Sequence, residues 1–117
     1  MELSDATVLV TGSIRGLGRE LVTALVSAGA KKIYATAREP SAVSDLVDGE
    51  RVLTLPLDIT DPLQVSNAAE QCSDTNLLIN NAGKNFNVPL IASDSIGPTR
   101  TEVETNYLGT LQMCRAF

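Results

Sequence analysis

The chain has 117 residues, 44% apolar and 20% charged, with a formal net charge of −5; that length sets one compact domain, and the balance excludes a disordered or collagen-like chain. The nine basic residues are scattered among fourteen acidic ones, so the clustered cationic surface that nucleic-acid binding requires is missing. His is absent, which removes His-based triads, a His general base and the commonest zinc ligand sets, and no metal-ligand spacing is present.

Met1 to Asp5 carries no basic leader and no long apolar stretch, and no apolar run approaches the roughly 20 residues of a membrane span. A soluble cytoplasmic chain is expected. Ala6 to Thr11 is a continuous β-branched and apolar run that ends in a glycine-rich segment, as in a strand buried on both faces. From Gly16 a helical pattern runs through Leu17, Leu21, Val22, Leu25 and Val26, and Gly29 sits where a left-handed C-terminal cap belongs. Ile33 to Ala37 forms a second strand. Glu39-Pro40 opens a short helix that stops by Asp48-Gly49, and Val52 to Leu57 makes a third strand.

Asp61 before Pro62 is a natural N-cap for a helix from about Leu63 to Cys72. A fourth strand follows at Asn76 to Asn80, then a polar loop from Ala82 to Pro98. The last helix begins near Thr99, where Thr99-x-x-Glu102 and Thr101-x-x-Glu104 both fit a capping box, and runs towards Phe117. Cys72 and Cys114 fall in these two helices. They read as small buried hydrophobes in a reducing compartment rather than as a disulfide.

Strand and helix alternate four times, which implies parallel strands in an α/β sheet of the Rossmann type, doubly wound. Such a sheet needs about six strands when complete; here there are four and the helix after the fourth. Two explanations stay open: residues 1–117 are a partial dinucleotide-binding domain from a longer protein, or a half-fold that assembles through its exposed sheet edge and last helix.

The segment Thr11-Gly12-Ser13-Ile14-Arg15-Gly16-Leu17-Gly18 joins the first strand to the first helix. Glycines there permit a sharp turn, close approach of backbone to a pyrophosphate and tight helix–strand packing, and the helix N-terminus favours an anion. The second strand ends Ala35-Thr36-Ala37-Arg38. A site for NAD places a carboxylate about there to accept the ribose hydroxyls. Arg38 instead offers a planar fork to a 2′-phosphate, with Arg15 able to approach the same group, so NADP(H) is favoured over NAD. Glu39 is the residue that argues the other way.

Together these residues resemble the short-chain dehydrogenase/reductase family, in its single-domain branch, from Thr7 to Phe117. The family's Thr-Gly-x-x-x-Gly-x-Gly is met by Thr11, Gly12, Gly16 and Gly18; its Asn-Asn-Ala-Gly by Asn80 to Gly83; its acidic residue after the third strand by Asp58 with Ile59; and its helix asparagine by Asn106 in Asn106-Tyr107-Leu108-Gly109. The resemblance implies that Gly12, Ser13, Arg15, Gly16, Leu17 and Gly18 hold the pyrophosphate and adenosine side. Asp58 and Ile59 bracket the adenine, while Asn81, Ala82 and Gly83 line the ribose. It also implies that Asn106 holds a water in a proton relay, and that the last helix packs in subunit interfaces, where Val103, Tyr107, Leu111 and Cys114 would form an apolar stripe. Asn80 reads as a structural tie between the fourth strand and a neighbour.

The family's catalytic Ser and its Tyr-x-x-x-Lys pair have no match. The two tyrosines, Tyr34 and Tyr107, have Arg38 and Leu111 four positions later. The expectation is therefore the cofactor-binding part of an oxidoreductase that moves a hydride between NADP(H) and a carbonyl or secondary alcohol, inactive alone. The alternatives are a non-catalytic nucleotide-binding or self-associating module, and an unstable remnant. The substrate is not legible, although Phe86, Val88, Leu90 and Ile91 could border its cleft.

Overall fold

The computed structural model describes residues 1–46, 49–89, 91 and 94–117; the expected helix end at Asp48 and the loop residue Leu90 lie outside them. Strands β1 (Thr7–Val10), β2 (Lys32–Ala37), β3 (Val52–Pro56) and β4 (Leu77–Ile79) form one parallel sheet in the order β3-β2-β1-β4. In register, Val8 lies between Ile33 and Leu77.

All four residues of β1 are buried, and alternation sends them to opposite faces. Val8 and Val10 join Val22, Leu25, Ile33, Ala35 and Val52 on one side. Leu9 joins Tyr34, Leu57, Ile59, Val65, Cys72 and Met113 on the other. Helix α1 (Gly16–Ser27) therefore covers the first face, while α2 (Pro62–Gln71) and the last helix cover the second. Each large aliphatic side chain enclosed this way contributes roughly 1.5–3 kcal/mol. The expected doubly wound α/β sheet is what forms, with β4 at its edge among the described residues.

Local chemistry sets the element ends. Helix α1 closes as a Schellman motif: Gly29 has φ +81°, Gly29 N–H donates to Val26 O at 3.1 Å, and Ala30 N–H donates to Leu25 O at 3.0 Å. Of the expected α1 stripe, Leu17 departs: it is 69% exposed and outside the cluster that Leu21, Val22, Leu25 and Val26 join. Pro40–Leu46 is a 3-10 stretch instead of an α-helix; Ser44 Oγ turns back on Ser41 O at 2.9 Å, a local bond that competes with regular helix. Asp61 caps α2 as expected, accepting from Leu63 N at 2.9 Å and Gln64 N at 3.3 Å.

The last helix starts earlier than expected. It runs as α3 (Gly97–Val103), a wider π-type stretch (Glu104–Gly109) and α4 (Thr110–Ala116), with helical backbone at both junctions. Neither capping box forms, because both sets of side chains are used elsewhere: Thr101 Oγ1 bonds Gly97 O at 3.1 Å, and Glu102 accepts from Phe86 N at 2.6 Å. Thr105, Gly109 and Met113, four apart, make the inward face. Val103, Tyr107 and Leu111 are exposed, Tyr107 by 66%. Cys72 is buried, but Cys114 is exposed, contrary to the expectation of two buried thiols. No helix among the described residues is long and apolar enough to cross a membrane.

Candidate functional site

The connections from β1 and β4 leave on opposite faces, so a crevice opens beyond their C-terminal ends, the place where open α/β sheets bind ligands. It is a cleft of about 640 Å³ whose wall includes Gly12, Arg15, Gly16, Leu17, Gly18, Ala37, Arg38, Asp58 and Ile59. Asn81, Ala82, Gly83, Lys84, Phe86 and Thr105 complete the part used below. Twelve of the thirteen residues read from sequence as site residues concern the cofactor, and all but Ser13 lie on this wall. A second open groove, between α2 and α4 and lined by Val65, Glu70 and Arg115, lies apart from it.

Thr11 and Asn81 build the frame. Thr11 Oγ1 accepts from Asn81 N at 3.0 Å and Ala82 N at 2.9 Å, and the Asn81 side-chain amide donates to Thr11 O and Gly12 O, each at 3.0 Å. The loop after β1 is thereby pinned to the loop after β4. Gly12 has φ +69°, and a Cβ there would lie 2.9 Å from Ala82 Cα. A Cβ on Gly18 would overlap Gly12 O and the Asn81 amide, so α1 reaches the loop only with glycine at that point.

Ser13 belongs to this frame and not to the cleft surface. It is fully buried, its N–H donates to Thr36 O at 2.9 Å, and its Oγ donates to Val10 O at 3.0 Å. Asn106 also serves the frame. Its Oδ1 accepts from Lys84 N and its Nδ2 donates to Lys84 O, both at 2.7 Å, fixing the backbone after Gly83. Asn80 donates to Cys114 Sγ at 3.3 Å, tying the end of β4 to α4.

Electrostatically the cleft carries Arg15, Arg38 and Lys84 against one carboxylate, Asp58, among its described residues. Asp58 accepts from Thr60 N at 2.9 Å and Thr60 Oγ1 at 2.7 Å, and these bonds, followed by the charges of Arg38 and Lys84, hold its carboxyl below the usual range. Its own N–H donates to Gln64 Oε1 at 2.8 Å. Ala37 is buried beside Arg38, and Glu39 is exposed and off the wall.

Lys84 and Thr105 are among the wall residues that the sequence reading does not assign. Lys84 looks like the first residue of a polar loop, and only its tether to Asn106 puts it here. Thr105 faces inward with Gly109 and Met113; a four-residue spacing of small and apolar residues, distinct from the exposed stripe, is the signal that could have found it. Of the loop residues considered for a substrate cleft, Phe86 lies on the wall, while Val88 and Ile91 are exposed and off it.

Comparison with known proteins agrees with this geometry. Residues 6–117 match the family described as short chain dehydrogenase. A short-chain dehydrogenase from Burkholderia cenocepacia, solved in complex with NADP, superposes with a TM-score of 0.93 at 44% identity, over 100% of this chain and 48% of that one. A short-chain dehydrogenase/reductase of Pestalotiopsis microspora is 35% identical, over 100% of this chain and 43% of its own length. An NADP-dependent 3-hydroxy acid dehydrogenase of Schizosaccharomyces pombe is 28% identical, over 97% of this chain and 48% of its own. The chain thus spans less than half the length of these relatives.

Proposed function

This chain belongs to the short-chain dehydrogenase family, an oxidoreductase family, and on that premise we propose that it is the cofactor-holding part of an enzyme that moves a hydride between NADP(H) and a carbonyl or secondary alcohol. The observation that carries the cofactor choice is the wall of the cleft at the end of β2: Arg38 beside the side-chain-poor Ala37, with Arg15 and Lys84 on the same wall. Guanidinium groups suit a 2′-phosphate, and a carboxylate at position 37 would repel it.

The frame fits such a dinucleotide, since the glycine cradle leaves backbone where side chains would otherwise stand. When bound, the nicotinamide would supply or take the hydride. Gly12, Gly16 and Gly18 would receive the pyrophosphate, with Leu17 at the lip and Ser13 holding the loop from beneath. Asp58 and Ile59 would flank the adenine; Asn81, Ala82 and Gly83 would border the ribose. Asn106 would hold a water in the proton relay, as the resemblance implies, with its side chain anchored on the Lys84 backbone. No Tyr-x-x-x-Lys occurs in the sequence, so the proton donor would come from a longer parent protein or a second chain, and the 117 residues alone would be inactive in the cytoplasm.

Calorimetric titration with 2′,5′-ADP and 5′-AMP tests this. The former binds more tightly, and Arg38→Asp weakens it selectively by on the order of 1–3 kcal/mol; equal binding of the two nucleotides refutes the NADP(H) preference. Turnover of NADPH with a carbonyl substrate by the isolated chain refutes its inactivity. The exposed Val103, Tyr107 and Leu111 support a second reading, a nucleotide-binding module that self-associates through this stripe or the edge of β4. A monomer in sedimentation at micromolar concentration argues against it.

A further inference from the structure

Arg38 is exposed at the end of β2 and forms no salt bridge among the described residues. The Pro40–Leu46 stretch that follows it is 3-10, a geometry with poorer hydrogen bonds than an α-helix. Its hold on the rest of the fold comes from side chains. Val43 is fully buried, and Leu46 packs against the core on the α1 face. Between them in space and chemistry stands Asp45, which meets the Arg19 guanidinium of α1 with both carboxylate oxygens: Nη1 donates to Oδ1 at 3.3 Å, and Nη2 donates to Oδ2. The fork is well solvated, with 34% of the Arg19 and 62% of the Asp45 side chain exposed, and such pairs add little to stability. Its bidentate geometry fixes position instead.

What is positioned follows from the two ends of the fork. Arg19 is the residue after Gly18, where a Cβ would meet Gly12 O and the Asn81 amide, so its backbone belongs to the frame of the glycine loop. Asp45 belongs to the segment that leads away from Arg38. The bonds between the loop after β1 and β2 reach Thr36, through Ser13 N–H at 2.9 Å. Beyond it, among the described residues, the Arg19–Asp45 fork is the polar link from α1 to the segment after Arg38. Two phosphates on one ribose stand a set distance apart, so a site that reads both gains from donors already held at that separation. Resting on the cofactor reading above, we propose that Arg19 and Asp45 are positioning residues that set where Arg38 stands relative to the glycine loop, and thereby determine the preference for a nucleotide bearing a 2′-phosphate. Neither lies on the cleft wall; both act through the Pro40–Leu46 stretch.

The test uses the full chain with Asp45→Asn, which breaks the ion pair, and with the swapped pair Arg19→Asp/Asp45→Arg, which rebuilds it in reverse. Titrations with 2′,5′-ADP and 5′-AMP are paired with thermal unfolding of the free proteins. The sign of the Asp45→Asn effect separates positioning from plain electrostatics. Removing a carboxylate would by charge alone strengthen binding of a phosphate, whereas loss of the fork weakens it. The expected result is a loss of roughly threefold to tenfold in affinity for 2′,5′-ADP in Asp45→Asn. Affinity for 5′-AMP and the unfolding temperature stay at the parent's values, and the swapped pair recovers the affinity for 2′,5′-ADP. Unchanged or tighter binding of 2′,5′-ADP by Asp45→Asn overturns the inference while leaving the cofactor reading intact. So does an equal loss for both nucleotides, a lowered unfolding temperature with the preference kept, or a swapped pair that recovers nothing. A parent chain that binds the two nucleotides equally overturns the cofactor reading itself, and this inference with it.

Discussion

Substituting Gly18 by Ala sets two effects of opposite sign against each other at one atom. In the interior of a helix, alanine is favoured over glycine by about 1 kcal/mol. Against this, the added methyl would occupy the space of Gly12 O and the Asn81 amide. The first is backbone and the second is held by two bonds of 3.0 Å, so neither is a flexible chain end that can swing aside. Overpacking of this kind costs typically 1–3 kcal/mol, and each Asn81 bond displaced costs about 1 kcal/mol more. Steric cost wins, and a net loss of about 2–3 kcal/mol is expected. With a urea m-value of about 1–3 kcal/mol/M for a small domain, the unfolding midpoint falls by about 0.7–3 M, and nucleotide affinity falls with it. Gly16→Ala is the internal control: φ is +54° there but nothing lies within 4 Å of the new carbon, so only the left-handed penalty of about 1–2 kcal/mol applies. If Gly18→Ala unfolds at or above the parent midpoint, helix propensity has prevailed, and the proposed clamp between α1, the loop after β1 and Asn81 is wrong.

Burial pushes the Cys72 thiol up to about 11, and burial likewise raises Tyr34. A group raised in the folded state stabilises fully below its unfolded value, near 8.5 for a thiol, and loses that contribution as pH climbs through the folded value. The urea midpoint should therefore decline between about pH 9 and pH 11, more gently in Cys72→Ala; a flat profile there refutes the assignment. Asp61→Ala removes the cap of α2 and should cost about 1 kcal/mol in denaturation. It also frees Gln64, which bonds Asp61 at 3.0 Å and holds the Asp58 backbone at 2.8 Å, so affinity for 5′-AMP should fall too, and unchanged affinity would separate the cap from the cleft.

What was legible in the sequence was whatever is decided within a few residues. The run through Val8 to Val10, the Gly29 cap and the Asp61-Pro62 start each depend on backbone sterics or a side chain reaching its own turn. What was not legible depended on competition from distant groups. Glu102 suits a capping box by spacing, yet the N–H of Phe86 takes it. Leu17 fits the α1 stripe by periodicity, yet it stands exposed on the wall of the cleft. Cys114 is on an apolar-looking helix, but the side that turns inward is the one bearing Met113. The site follows the same division: Gly12, Gly18 and Arg38 stand out locally, while Lys84 and Thr105 reach the cleft only through the Asn106 tether and the π-type stretch.

Asn81 explains why motifs nearly 70 positions apart behave as one object. Its amide spans the carbonyls of Thr11 and Gly12, and its own N–H meets the Thr11 hydroxyl. Gly12 then approaches Ala82, and Gly18 fills the last gap beside the same amide. Remove the amide and two carbonyls of the loop lose their donor; a methyl at Gly18 displaces the amide, and one at Gly12 drives the loop off Ala82. A glycine-rich turn elsewhere could bend as sharply, but without this clamp it would not hold its N–H groups at a fixed place beyond the end of β1. Anion binding by such a turn depends on that fixity, since donors that must be ordered at the moment of binding lose part of their electrostatic gain to entropy. The threonine, the glycines and the asparagine are thus one requirement expressed four times in the chain.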